Sequence, residues 1–176
     1  MRFIIFFLLV ASSVSFAMPS QVIIIRHGEK QDGNLSKKGE RRARALVDYF
    51  ENDPEVSREG LPTKIFAFKP KKGKHLRAVQ TMQPLADDIG LDVDSSIKKQ
   101  HVDELLESIQ SETGRVLVCW GHEYIPELAE KMGVHHAPKW EDDTFDRTWI
   151  LKFNSSGKLH SFKDLPQHLL PGDSNH

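Results

Sequence analysis

The chain has a single cysteine, Cys119, among its 176 residues. One thiol cannot close an intramolecular disulfide, so the fold must be held by its core. The setting Val116-Leu117-Val118-Cys119-Trp120 points to burial in a strand rather than to reactivity. An excess of one charge is also lacking, since 24 Lys and Arg against 25 Asp and Glu leave a formal net charge of −1. That balance argues against a broad cationic surface for nucleic acid. Beyond the N-terminus there is no apolar run approaching the roughly 20 residues a membrane-spanning helix needs. No glycine-rich loop of phosphate-cradling spacing follows either candidate site strand, which disfavours nucleotide binding. Internal repeats and low-complexity segments are absent as well.

What is present begins with a leader-like segment. Met1-Arg2, an apolar run from Phe3 to Val10 and small residues at Ser15 and Ala17 have the layout of a secretory signal peptide, with cleavage expected before Met18. An uncleaved anchor is the alternative, and the apolar run is short for one. Residues 1–17 are therefore expected to be removed and residues 18–176 to form one domain, with no stable membrane insertion after cleavage. Export without disulfides suits a bacterial-type periplasm or the extracellular space.

The remaining sequence alternates short β-branched runs with helix-like stretches, the pattern of an α/β domain whose helices cover a largely parallel sheet. Val22–Ile25 reads as the first strand, and Ser36 as the N-cap of a helix reaching about Phe50. The stretch from Asn52 to Pro62 reads as a surface loop and Lys64–Phe68 as the second strand. In the following helix Pro84 predicts either a kink or a late start. Ile97–Ile109 reads as a third helix, Arg115–Trp120 as a central strand and Ile125–Met132 as a short helix stopped by Gly133. The runs flanking Asn154-Ser155-Ser156-Gly157 suggest a hairpin at a sheet edge, and the chain after Pro166 reads as a tail.

Two of these strands end in the same way. Arg26-His27-Gly28 follows the first and Gly121-His122-Glu123 follows the central one. In open α/β sheets, ligands bind in the crevice beyond the carboxyl ends of the strands. With Arg77 at the start of the helix after the second strand, two arginines and two histidines can converge there. Such a set suits a phosphoryl group, because guanidinium forks pair with its oxygens and stabilise transition-state charge. A histidine in line with phosphorus can act as nucleophile if it is neutral at the attacking nitrogen and a backbone carbonyl, near Gly28, holds the other.

Arg26-His27-Gly28-Glu29, then Leu35-Ser36 and Gly39, then Arg77 with Gln80-Thr81, and last Gly121-His122 together resemble the histidine phosphatase superfamily, also called phosphoglycerate mutase-like. The resemblance runs in order through nearly all of the chain after the leader. It implies a three-layer α/β/α domain around a mostly parallel sheet with an antiparallel edge. It further implies a phosphatase without metal or cofactor, in which His27 is phosphorylated during turnover and Arg26, Arg77 and His122 form the phosphate pocket. Glu123 holds the proton-donor position of the acid-phosphatase-like branch. The mutase-like branch takes its carboxylate from the region after the second arginine, where Asp87, Asp88, Asp92 and Asp94 stand.

Departures from the family pattern matter too. His75 replaces a frequent serine two residues before Arg77 and is either a further phosphate donor or a lining of the entrance. Lys69, Lys71, Lys72 and Lys74 make the preceding linker cationic, which either steers an anionic substrate or forms a solvated loop. The long insertion with which larger members enclose their substrates is absent. An open crevice suits a small phosphomonoester or a phosphorylated protein side chain and disfavours mutase action, which needs a phosphoenzyme shielded from water. The alternative to an enzyme is a non-catalytic phosphate-binding or scaffolding protein that retains the fold. A metal reading would join His135 and His136 to Asp142 or Asp143, but adjacent loop histidines specify no geometry. His101, His160 and His168 read as structural or solvent-facing, and Trp140, Phe145 and Trp149 as packing residues.

Overall fold

Val22, Ile23, Ile24 and Ile25 are completely buried, as a strand covered on both faces must be. In this computed structural model, which describes residues 18–72 and 74–174, they form the middle of β1 (Gln21–Arg26). The leader read in residues 1–17 lies outside the described residues. β1 pairs in parallel with β6 (Arg115–Trp120), which in turn pairs in parallel with β4 (Lys64–Ala67). The short β5 (Val93–Asp94) lies parallel at that edge. On the other side β7 (Arg147–Phe153) and β8 (Leu159–Pro166) run antiparallel, so the order is β5-β4-β6-β1-β7-β8. A separate small hairpin, β2 (Lys30–Gln31) with β3 (Asn34–Leu35), follows β1 directly.

Helix α1 (Lys37–Asn52) packs on α2 (Arg77–Ile89), and α3 (Val102–Gln110) on α4 (Ile125–Lys131). The helices flank a mostly parallel sheet, giving the α/β/α architecture with an antiparallel edge. Each helix turns one apolar stripe inward. Ala43, Leu46 and Phe50 of α1 and Ala78, Met82, Leu85 and Ala86 of α2 are buried, and each large one contributes about 1.5–3 kcal/mol. Among the described residues no helix is long and apolar enough to cross a membrane.

The structure corrects one local reading and adds detail at three other places. The third helix begins at Val102 rather than Ile97, because Ile97 to Gln100 form a turn whose Ile97 carbonyl accepts from Lys69 N at 2.7 Å. The edge strand β5 was not legible, since two residues carry no periodicity. Helix α2 starts at Arg77 and runs through Pro84, so no late start occurs. The loop from Asn52 to Pro62 contains a 3-10 turn at Ser57–Glu59 and buries Val56.

The largest correction concerns the segment after Pro166. It is no tail, because Gln167 is buried and Asp173 meets Arg42 at 2.7 Å. Arg42 is 1% exposed on α1, and its guanidinium also grips Glu29 with both carboxylate oxygens, at 2.8 and 3.1 Å. Burial alone would lower the Arg42 pKa, but its bonds to Asp173 and Glu29 more than offset this and raise it. A buried guanidinium with two anionic partners becomes a liability when one is removed. Asp173→Ala is therefore expected to lower the unfolding free energy by about 3 kcal/mol. Urea denaturation measures it; a loss below about 0.5 kcal/mol, the usual range for surface substitutions, would mean that the C-terminal segment is not held by this pair.

Candidate active site

Arg26 lies opposite Trp120 in the parallel register, so His27 and Gly121 leave neighbouring strands side by side. The backbone after His27 is then tied down by α1 and α2. Gly28 N donates to Thr81 Oγ1 at 2.9 Å, and that hydroxyl donates to the Arg77 carbonyl at 2.7 Å. Leu35 N donates to Gln80 Oε1 at 2.9 Å, and Ser36 N to the Glu29 carbonyl at 2.8 Å. Ser36 caps α1 by accepting from Gly39 N at 3.2 Å. Gly39 has to be glycine, since a Cβ there would stand 2.2 Å from the Glu29 oxygen. The spaced residues Leu35, Ser36, Gly39, Gln80 and Thr81 thus act together to hold the loop that carries His27.

His27 is 2% exposed. Its Nδ1 lies 2.8 Å from the Gly28 carbonyl, which can only accept, so Nδ1 carries the proton. Its Nε2 accepts from Arg77 Nε at 2.9 Å and is therefore the bare nitrogen. Phe68 meets the ring edge-on with centroids 6.0 Å apart, and Phe145 lies at 6.1 Å. Burial, opposed by the Gly28 bond but reinforced by the charges of Arg77, Arg26 and Lys30, lowers the His27 pKa to about 3. The ring is a neutral imidazole whose Nε2 lone pair is turned toward Arg77.

Arg26 is buried too, with its guanidinium carbon 3.9 Å from the Phe145 ring centroid. Its Nη1 donates to the carbonyls of Glu141, Asp142 and Thr144 at 2.7–3.1 Å, which pins that loop across the mouth of the site. Its buried Nε has no hydrogen-bond partner among the described residues. Arg26 is thus half committed to structure and half available to an anion, where the sequence suggested a free fork.

The other side of the crevice is set by His122 and Glu123. His122 Nε2 is 2.8 Å from Asp142 Oδ1, while Nδ1 stands 3.4 Å from Glu123 Oε2 without making a hydrogen bond. Glu123 forms an ion pair with Lys99. Burial would raise its pKa, but hydrogen bonds from Lys99 and from its own backbone, with the charges of Lys99 and His122, hold it below the ordinary carboxylate range. A general acid needs the opposite shift. In this arrangement Glu123 is an anion.

His75, exposed and with φ of +62°, lines the entrance beside Arg77, and its ring rests against Gly33, where a Cβ would meet Nδ1 at 2.4 Å. Asp87, Asp88 and Asp92 are exposed, and Asp94 faces Lys64 at 3.2 Å. His135 and His136 are exposed, and among the described residues no three metal-ligating side chains cluster. Sequence reading missed Lys99 and Arg42, and it offered Asp142 only as a metal ligand and not as the partner of His122; each of the three acts through a partner remote in the chain. Phe145 was read as a packing residue; it lies under Arg26 and beside His27.

No protein family and no curated protein matches the chain by sequence. Solved structures do match in fold. The protein histidine phosphatase SixA in complex with tungstate superposes with a TM-score of 0.57 at 18% identity, covering 84% of this chain and 97% of that one. A phosphoglycerate mutase from Plasmodium falciparum superposes with a TM-score of 0.59 at 12% identity, covering 89% of this chain and 96% of that one. The fold is therefore the phosphoglycerate mutase-like α/β/α architecture that these structures share.

The depressed pKa of His27 has a consequence for stability. The unfolded ring takes up a proton below about 6.5 and the folded ring only near 3, so the unfolded chain binds more protons between these values. The stability His27 contributes is full above pH 6.5 and is lost as the pH falls toward 3. His27→Asn is expected to flatten the stability profile in that window, read by urea denaturation at a series of pH values. An unchanged profile would refute a neutral, buried His27.

Proposed function

We propose that the chain is a phosphomonoester hydrolase that works through a phosphohistidine on His27, without metal or cofactor. The observation that carries this reading is the state of His27, a buried neutral imidazole with Nδ1–H engaged by Gly28 and the Nε2 lone pair turned toward Arg77. In the first half-reaction Nε2 attacks phosphorus. The P–N bond forms as the P–O bond to the alcohol breaks, and the leaving oxygen takes a proton from an acid. Arg77 shifts its donor from Nε2 to the phosphoryl oxygens, joined by Arg26 Nε and by His122. Water, deprotonated by the conjugate base of that acid, then attacks phosphorus. The P–N bond breaks, and inorganic phosphate and free His27 return.

Glu123 is the acid this reading favours, and its pair with Lys99 has to open before it can hold a proton. That pair also favours a second reading, a phosphate-binding protein without turnover, since a locked carboxylate donates nothing. The substrate is a phosphorylated small molecule or a phosphoprotein. The fold likeness to a protein histidine phosphatase lends weight to the latter, and the open crevice is compatible with both. The leader-like residues 1–17 support export to a periplasmic or extracellular location.

His27→Ala is expected to reduce turnover of phosphomonoesters by at least about 10³-fold while leaving thermal unfolding cooperative. Glu123→Gln should slow an alkyl phosphate far more than an aryl phosphate, whose leaving group needs no proton. Wild-type activity in His27→Ala would end the nucleophile assignment, and equal small losses in Glu123→Gln would move the acid elsewhere. Inorganic phosphate bound by a wild type that turns nothing over would favour the second reading. Expression of the full chain in a bacterial host should release a protein whose first residue is Met18, read by mass spectrometry. A cell-retained chain beginning at Met1 would remove the export proposal.

A further inference from the structure

Beside His27, where Phe68 and Arg77 form the wall, a cleft of about 910 Å3 opens away from the nucleophile. That volume is at the upper end for small-molecule sites and far exceeds the needs of one phosphoryl group. The cleft is lined by Lys69, Lys71 and Lys72 from the loop after β4 and by Lys98 and Lys99 from the turn before α3; among the described residues no carboxylate belongs to the lining, although Glu123 reaches Lys99 at its edge. In a chain with a net charge of −1 this is a strong local segregation of charge.

The lysines are gathered by the fold rather than scattered on a loose loop. Lys69 N donates to the Ile97 carbonyl at 2.7 Å, which ties the two loops together. Lys74 N returns to the Lys71 carbonyl at 2.8 Å, and Lys72 sits at a φ of +46° in that turn. On the opposite wall the buried Trp120 donates Nε1 to the Lys99 carbonyl at 2.9 Å. Outside the cleft Lys38, Lys64, Lys131, Lys139, Lys152 and Lys163 each stand against a carboxylate, whereas among the described residues no ion pair reaches Lys30, Lys37, Lys74 or Lys158. In the cleft Lys99 alone stands against a carboxylate, and among the described residues no ion pair reaches Lys69, Lys71, Lys72 or Lys98. Like charges drawn together without counter-charge repel, and a bound anion relieves that repulsion.

We infer that this cleft binds a second anionic group of the substrate, so that the preferred ligand is a small polyanion carrying a further phosphate beyond the scissile one. The scissile phosphoryl sits at His27, Arg26 and Arg77, and the distal phosphate lies among the lysines. Point charges on flexible stems suit a distal group that must be held but not oriented for reaction. The size and depth of the cleft favour a compact molecule over a phosphoprotein surface. The inference rests on the phosphatase reading for its substrate, though binding can be read without turnover.

Calorimetry with an alkane-α,ω-bisphosphonate and the matching monophosphonate is the test, beside hydrolysis of 4-nitrophenyl phosphate. The wild type is expected to bind the bisphosphonate at least about tenfold more tightly, an advantage of about 1.4 kcal/mol that fades with salt. In the double variant Lys71→Ala/Lys98→Ala the bisphosphonate should fall to the monophosphonate level. Monophosphonate affinity and aryl phosphate turnover should stay unchanged, and Lys71→Arg/Lys98→Arg should retain the preference. Equal affinity for both ligands in the wild type, or equal losses for both in the alanine variant, would overturn the inference. So would a lysine-dependent gain seen with an acidic phosphopeptide and not with the bisphosphonate, which would make the cleft a protein-reading surface. Tight bisphosphonate binding without aryl phosphate turnover would leave the cleft standing and remove the phosphatase reading instead.

Discussion

The hydrogen bond from His27 Nδ1 to the carbonyl of its neighbour Gly28 is the constraint around which the rest of the molecule is arranged. It decides which ring nitrogen carries the proton, and so which nitrogen is left unprotonated to accept from Arg77. In water the two tautomers of an imidazole exchange freely and the ring is partly protonated near neutrality. Here burial, the carbonyl at 2.8 Å and the Arg77 donor at 2.9 Å leave one neutral form. An imidazole held in this way presents an unprotonated nitrogen without first having to lose a proton.

Holding one carbonyl in place requires a scaffold drawn from most of the chain. Thr81 fixes the amide of Gly28, Gly39 lets α1 come close enough to accommodate the Glu29 carbonyl, and Arg42 grips the Glu29 side chain. Through Arg42 the same loop is joined to Asp173 near the C-terminus. A buried guanidinium between two carboxylates is a demanding device, since either partner left alone would strand a charge. Its use here couples the closure of the domain to the geometry of the site.

The charges around the crevice are closed on one another. Arg26 holds three carbonyls of the mouth loop, Asp142 of that loop engages His122, and Lys99 engages Glu123. Any anion entering the crevice would have to compete for the same cations, so its binding would require the site to rearrange. The positions of Lys69, Lys71, Lys72 and Lys98 follow a different logic, because they are set along one cleft and no ion pair reaches them among the described residues.

Much of this was written locally in the sequence. Runs of branched residues such as Val22–Ile25 and Val116–Trp120 announce buried strands, and the polar residues after them, Arg26, His27 and His122, announce a site at the strand ends. Helix faces, the Ser36 cap and the Asn154–Gly157 turn are equally local, because each depends on neighbours within a few positions. The C-terminal segment was misread as a tail because Asp173 is defined by Arg42, 131 positions away, and no periodicity encodes that pairing. The ionised state of Glu123, the half-occupied guanidinium of Arg26 and the clustering of five cleft lysines from two loops were hidden for the same reason. The sequence by itself determined the α/β order of elements and the chemical kinds of group brought to the strand ends. The tertiary structure alone decided the tautomer, the charge states and the cleft, because these depend on distances between atoms that the chain order leaves far apart.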